Sequence, residues 1–171
     1  IPTLLSRCLK VHARPPDAKE ASKWIAVHAQ GKSENKLRLQ LAIRLSGNAP
    51  LSAIKLVEDD DFFSTRDKII SLLSQNQIDI FALATLCEKI ETSTLQTIFY
   101  ALLHDLMSYE LKTDQLFHED KSIEIGQIKR SITSKAFSRW QTVFNDYLKS
   151  ANHPLNRRLA LESLFLKWPQ T

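Results

Sequence analysis

The chain is expected to be all-α, with a small helical segment followed by a larger one. Three observations carry that expectation. Only three glycines occur in 171 residues, too few for the many tight turns of a sheet-rich fold. Apolar residues recur at three- and four-residue spacing along most of the chain. Prolines and short polar runs interrupt those stretches at intervals that suit helices joined by short loops.

Residues 1–13 do not open like a domain. Ile1-Pro2-Thr3-Leu4-Leu5 is apolar, Ser6-Arg7-Cys8 follows, and Leu9 to Ala13 alternates like one short strand. A lone strand leaves its hydrogen bonds unmade, so the chain reads as starting inside a larger protein. Arg14-Pro15-Pro16 then breaks it.

Asp17 caps the first helix, and Glu20 three residues on completes a capping box. Ala21, Trp24, Ile25 and His28 share one side of it, and Gly31 stops it. Ser33 caps a second helix, in which Leu37, Leu41 and Leu45 repeat every four residues with Ala42 beside them, and Gly47-Asn48 ends it. Pro50 opens a third helix through Ala53, Ile54 and Val57.

The acidic run Glu58-Asp59-Asp60-Asp61 reads as a cap for the next helix. A calcium loop would spread its ligands over about twelve residues around a glycine turn, which this stretch lacks. Phe62, Phe63, Ile69, Ile70, Leu72 and Leu73 make the following helix apolar on one side, and Ser74-Gln75-Asn76-Gln77 is the expected hinge.

Further helices are expected at 78–90, 94–111, 123–132 and 135–150, with a loop at 112–121. The helix at 135–150 should bury Phe137, Trp140, Phe144 and Leu148. His153-Pro154 breaks the chain before a last helix, 155–168, apolar nearly all round and so expected to pack against several neighbours.

Chemistry within the chain is not expected. There is no phosphate loop, no HExxH, no GxSxG and no CxxC pair. Cys8 and Cys87 have neither disulfide-framework nor zinc spacing, and Cys87 reads as a small core residue. His104-Asp105 and His118-Glu119-Asp120 are sequence neighbours, not the i, i+4 pairs that converge on a metal. The periodic positions of Trp24, Trp140 and Trp168 point to core packing rather than base stacking. No stretch reaches the ~18–20 apolar residues of a membrane span, and no signal-type run opens the chain, so no membrane contact and a cytoplasmic address are expected.

The net charge of +4 permits nucleic acid or an acidic partner without demanding either. Its cations fall in small helical groups: Arg38 with Arg44; Lys129, Arg130, Lys135 and Arg139; Arg157 with Arg158. Each group reads first as a solvated helix face. A stand-alone nucleic-acid-binding module using Lys129, Arg130, Lys135 and Arg139 is the alternative from a different class, and it would show tight, salt-dependent DNA binding.

Three stretches carry a family resemblance. Ile1 to Cys8 is similar to the end of the ATPase domain in bacterial clamp-loader subunits of the AAA+ family, where a Pro-Thr-Leu helix leads into a Ser-Arg-Cys motif and a strand. Arg44-Leu45-Ser46-Gly47-Asn48-Ala49-Pro50 resembles their lid-helix junction, and Asn156 to Glu162 their last collar helix. The pattern is most similar to delta-prime subunits of DNA polymerase III. It is strongest over 1–16 and 41–56 and looser over 75–150.

That resemblance implies an end of the ATPase domain at 1–13, a three- or four-helix lid at 14–74 and a helical collar at 75–171. It implies assembly through the collar into a five-membered ring with gamma/tau and delta subunits. The sliding clamp and primed DNA would be met through the whole complex. Arg7 would be an arginine finger reaching a neighbour's ATP, positioned by Ser6 and Cys8, and no cofactor would belong to this chain. In gamma and tau a Gly-Ser-Leu-Arg pattern supplies a second-sensor arginine; here the stretch reads Asn48-Ala49-Pro50-Leu51, so Leu51 stands at that position. A register shift of one would put Pro50 there. Neither contacts phosphate, which disfavours a gamma or tau origin and implies no ATP hydrolysis in cis.

Overall fold

In the computed structural model the described residues are Arg7, Leu9 and 14–28, 36–113, 116–150 and 156–169. Among them every regular element is a helix. The chain divides into two compact units, Ile1–Lys55 and Leu56–Thr171.

In the first unit, α1 (Ala18–His28) opens on the reciprocal box read from the sequence. Glu20 N–H donates to Asp17 Oδ1 at 2.7 Å, and Asp17 N–H to Glu20 Oε2 at 3.1 Å. Ala21 and Ile25 are buried, and α1 packs on α2 (Lys36–Leu45). Trp24, expected on that apolar side, is 37% exposed and stacks on His28 with ring centroids 4.1 Å apart.

The buried residues of α2 are Leu39, Leu41, Ala42 and Ile43. Leu37, expected among them, is 72% exposed. At about 100° per residue, Leu37 lies about 140° round the helix from Ala42, the centre of the buried face. Gly47 and Asn48 end α2 at φ 61° and 64°, and Asn48 N–H reaches the Ile43 carbonyl at 2.8 Å. Pro50 is the first residue of α3 (Pro50–Glu58), where its missing N–H costs nothing, and Ala53 is buried. The division between units falls inside α3. Leu9 is exposed; the rest of the strand expected at 9–13, the Gly31 stop and the Ser33 cap lie outside the described residues.

The second unit holds α4 (Asp60–Leu73), α5 (Ile80–Glu88), α6 (Thr92–Leu111), a 3-10 turn (Glu119–Lys121), α7 (Ser122–Arg130), α8 (Ser134–Ser150) and α9 (Arg157–Leu166). Their packings close a circuit: α4 on α5, α5 on α9, α9 on α8, α8 on α6, α6 on α7, and α7 back on α4. Phe99 of α6 sits at the centre, 5.5 Å from the Trp140 ring, 5.2 Å from Phe144 and 5.8 Å from Phe165. Trp168 meets Trp140 edge-on at 4.5 Å, and Trp140 Nε1 donates to the Leu164 carbonyl at 3.3 Å.

Asp59 caps α4 by accepting from Phe62 N–H at 2.8 Å, as the acidic run implies. The Ser74 to Gln77 stretch does not part the two units. It joins α4 to α5 within the second one, because Phe62, Phe63, Ile69, Ile70 and Leu73 of α4 are buried and the helix packs on α5 and α7. On α8 the buried set is Phe137, Trp140, Phe144 and Tyr147, with Tyr147 replacing the expected Leu148. The last helix is less enclosed than its composition suggests: Leu161, Leu164 and Phe165 are buried, while Leu159 and Leu166 are exposed.

Candidate finger and assembly surfaces

Arg7 lies at a turn and is exposed. Its guanidinium is therefore open to another molecule, as an arginine acting in trans requires. Ser6 and Cys8, expected to position it, lie outside the described residues. Leu51 is in the first turn of α3 and is 68% exposed. Two successive left-handed residues, Gly47 and Asn48, precede the helix. No described bond links Arg7 with Leu51.

The second unit has a polar centre that sequence adjacency concealed. Asp105 of α6 is fully buried. It accepts from Phe117 N–H at 2.6 Å, His118 N–H at 2.9 Å and His118 Nδ1 at 2.7 Å. One carboxylate thus pins the connection between α6 and the 3-10 turn. Thirteen residues separate Asp105 from His118, and no periodic pattern relates a helix position to a loop histidine. His118 Nε2 is buried without a partner among the described residues. A second pairing spans 54 residues: Arg66 of α4, 2% exposed, holds Asp120 of the 3-10 turn through both terminal nitrogens and Asp67 beside it. Arg66 also lies over the Phe63 ring at 5.3 Å. These bonds fix the loop at 116–121 against two helices. Among the described residues no group of three His, Cys, Asp or Glu side chains could hold a metal ion.

Cys87 is fully buried on α5, and burial pushes its thiol up to about 12 despite the opposing influence of Arg157. It stays protonated at neutral pH and is no nucleophile. Arg157 itself is tied to the Ile90 carbonyl, and Arg158 pairs with Glu162 at 3.0 Å.

Apolar side chains project from two places on this unit. On α6, Tyr100, Met107 and Leu111 stand exposed with His104 at i, i+4, i+7 and i+11, along one face. Tyr109 Oη bonds the Ser122 carbonyl at 2.6 Å, so the end of α6 lies beside the start of α7, where Ile123 is exposed. On the packed pair α5 and α9, Phe81, Leu159 and Leu166 are exposed. Exposed apolar groups on several helices of one unit suit contact with other protein surfaces. Among the described residues no helix is long and apolar enough to cross a membrane.

A family model for the C-terminal part of the delta subunit of DNA polymerase III matches residues 60–170. No curated protein matches the chain.

Proposed function

The chain belongs to the family of C-terminal domains from the delta subunit of DNA polymerase III, and from that premise we propose that it is part of a clamp loader, assembles through a helical collar and lends Arg7 to a neighbour's ATP. The observation that carries the assembly role is the coincidence of the family match, 60–170, with the compact unit Leu56–Thr171. We take that unit as the collar, a longer collar than one starting at 75, and α1–α3 as the lid. The collar joins gamma/tau and delta subunits into a five-membered ring. Contact with the sliding clamp and primed DNA comes through the whole complex.

The finer reading, a delta-prime subunit, rests on Ser6-Arg7-Cys8 and on Leu51. An exposed guanidinium delivered to a neighbour's γ-phosphate neutralises charge that spreads over the phosphoryl oxygens in the transition state. Leucine at the sensor position offers nothing to a nucleotide of its own, which suits a subunit that serves another's site.

The test is Arg7→Ala in the complete subunit within a reconstituted clamp loader. Assembly measured by gel filtration should be unchanged, since Arg7 lies outside the compact unit that holds the collar. ATP turnover at the site it serves should fall by about 10³-fold or more. Unchanged turnover would overturn the finger.

A further inference from the structure

The net charge of the protein is not spread over it. Between Glu124 and Asp146 the sequence carries Lys129, Arg130, Lys135 and Arg139 and no acidic residue. The rest of the chain holds nineteen cations and nineteen acids, so these four residues account for the whole excess of +4.

The fold gathers them at one corner. Only 131–133 separates α7, whose last turn holds Lys129 and Arg130, from α8, which begins at Ser134. Lys135, Ser138, Arg139 and Thr142 fall at i, i+3, i+4 and i+7 on α8, and all four are exposed. They oppose the buried Phe137, Trp140, Phe144 and Tyr147. Glu110 is the carboxylate at this corner. It takes Lys129 at 3.3 Å and the Ser134 hydroxyl, and those contacts hold its own proton affinity below the ordinary range. Among the described residues no carboxylate pairs with Arg130, Lys135 or Arg139.

Helix electrostatics explain half of the arrangement. Lys129 and Arg130 suit the negative end of α7. Lys135 stands in the first turn of α8, which has no acidic residue and where the dipole disfavours a cation. That placement works against local stability, and a partner of opposite charge accounts for it.

We propose that this corner of α7 and α8 is a contact surface for the phosphate backbone of duplex nucleic acid. The chemistry of the surface selects among polyanions. A membrane-surface helix presents large apolar side chains beside its cations, whereas the aromatic side chains of α8 are buried and its Val143 and Leu148 are half-buried. Single-strand binding uses exposed aromatic rings for base stacking, and α7 and α8 expose none. What remains is Arg130, Lys135 and Arg139 with the Ser138 and Thr142 hydroxyls among them, which are phosphate-backbone contacts without base readout.

The test is fluorescence anisotropy of a short labelled DNA duplex titrated with the whole chain at several salt concentrations between about 50 and 200 mM. The expected dissociation constant is roughly 10⁻⁴ M, with a log–log salt slope of about −3 for three neutralised phosphates. Lys135→Gln/Arg139→Gln should flatten that slope by about 2. The matched pair Lys19→Gln/Lys23→Gln, exposed at the same spacing on α1, should leave it unchanged. Thermal melts check that both variants stay folded. Equal losses from the two pairs, no effect of the α8 pair, tighter binding of a single strand, or stronger retention on phosphatidylserine vesicles would each overturn the proposal.

Discussion

In the first unit the described core is Ala21, Ile25, Leu39, Leu41, Ala42, Ile43 and Ala53; in the second it includes Phe62, Phe63, Phe99, Phe137, Trp140, Phe144, Tyr147, Phe165 and Trp168. The one tryptophan of the first unit stacks outside on His28, while both of the second are buried. Each buried aromatic side chain removes about 150–250 Å² from water. At about 25 cal/mol per Å² that is roughly 4–6 kcal/mol before entropy is charged against it. The two described helices that lie wholly in the first unit have 11 and 10 residues, shorter than the ~12–15 that an isolated helix needs to be even marginal in water. The second unit adds a buried polar centre, for the buried polar residues Arg66, Asp105, Ser108 and His118 all belong to it. The stability of the chain should therefore reside in the second unit, with the first close to its limit.

The largest test of that difference is Trp140→Ala. It removes the ring that meets Phe99, Phe144 and Trp168, together with the bond to the Leu164 carbonyl. A loss of about 3–5 kcal/mol is expected in urea unfolding. Ile25→Ala in α1 creates a smaller cavity, and its effect should be confined to local opening of the first unit. If Ile25→Ala moved the main transition as far as Trp140→Ala, the two cores would be equivalent and the contrast would fail.

Asp105→Ala comes next. It strands His118 N–H and Nδ1 at a buried position and Phe117 N–H at a half-buried one. The expected cost is on the order of 3 kcal/mol in the same transition. Asp105→Asn keeps an acceptor oxygen and should cost less. A wild-type melting curve for Asp105→Ala would mean that the polar centre contributes nothing to the second unit.

Local features are legible in the sequence and long-range pairings are not. The Asp17–Glu20 box, the Asp59 cap, the Gly47-Asn48 stop and the Pro50 start each depend on residues within three or four positions, and each stands in the structure. Which of several apolar residues faces inward depends on the neighbouring helix. Periodicity therefore assigns Leu37 and Trp24 to a core they do not join, and it passes over Tyr147. The unit boundary differs for the same reason. A polar run such as Ser74 to Gln77 marks a turn, but only packing tells whether the turn joins two units or two helices of one. Asp105 with His118 and Arg66 with Asp120 are invisible to spacing, because a carboxylate's partner is chosen by tertiary approach. Of the candidate site, Arg7 and Leu51 are reached through a motif and a helix start. The basic corner needs both charge counting and the short α7–α8 connection.

The smallest effect is the most discriminating, because the same chemistry can be removed from each unit. Asp17→Ala and Asp59→Ala each delete a side-chain cap worth about 1 kcal/mol. In α4 the loss should be shared by the whole second unit. The denaturation midpoint should shift by that amount, and amide exchange across α4 should remain limited by global unfolding. In α1 the loss takes the Asp17 side-chain arm of the reciprocal box, leaving the residue-17 N–H to Glu20, from an 11-residue helix that buries only Ala21 and Ile25. There the main transition should stay in place, while the amides of α1 exchange roughly fivefold faster through local opening. If Asp17→Ala shifted the main transition and left α1 as protected as before, the two units would unfold as one. The thin aliphatic core would then draw its stability from the aromatic one.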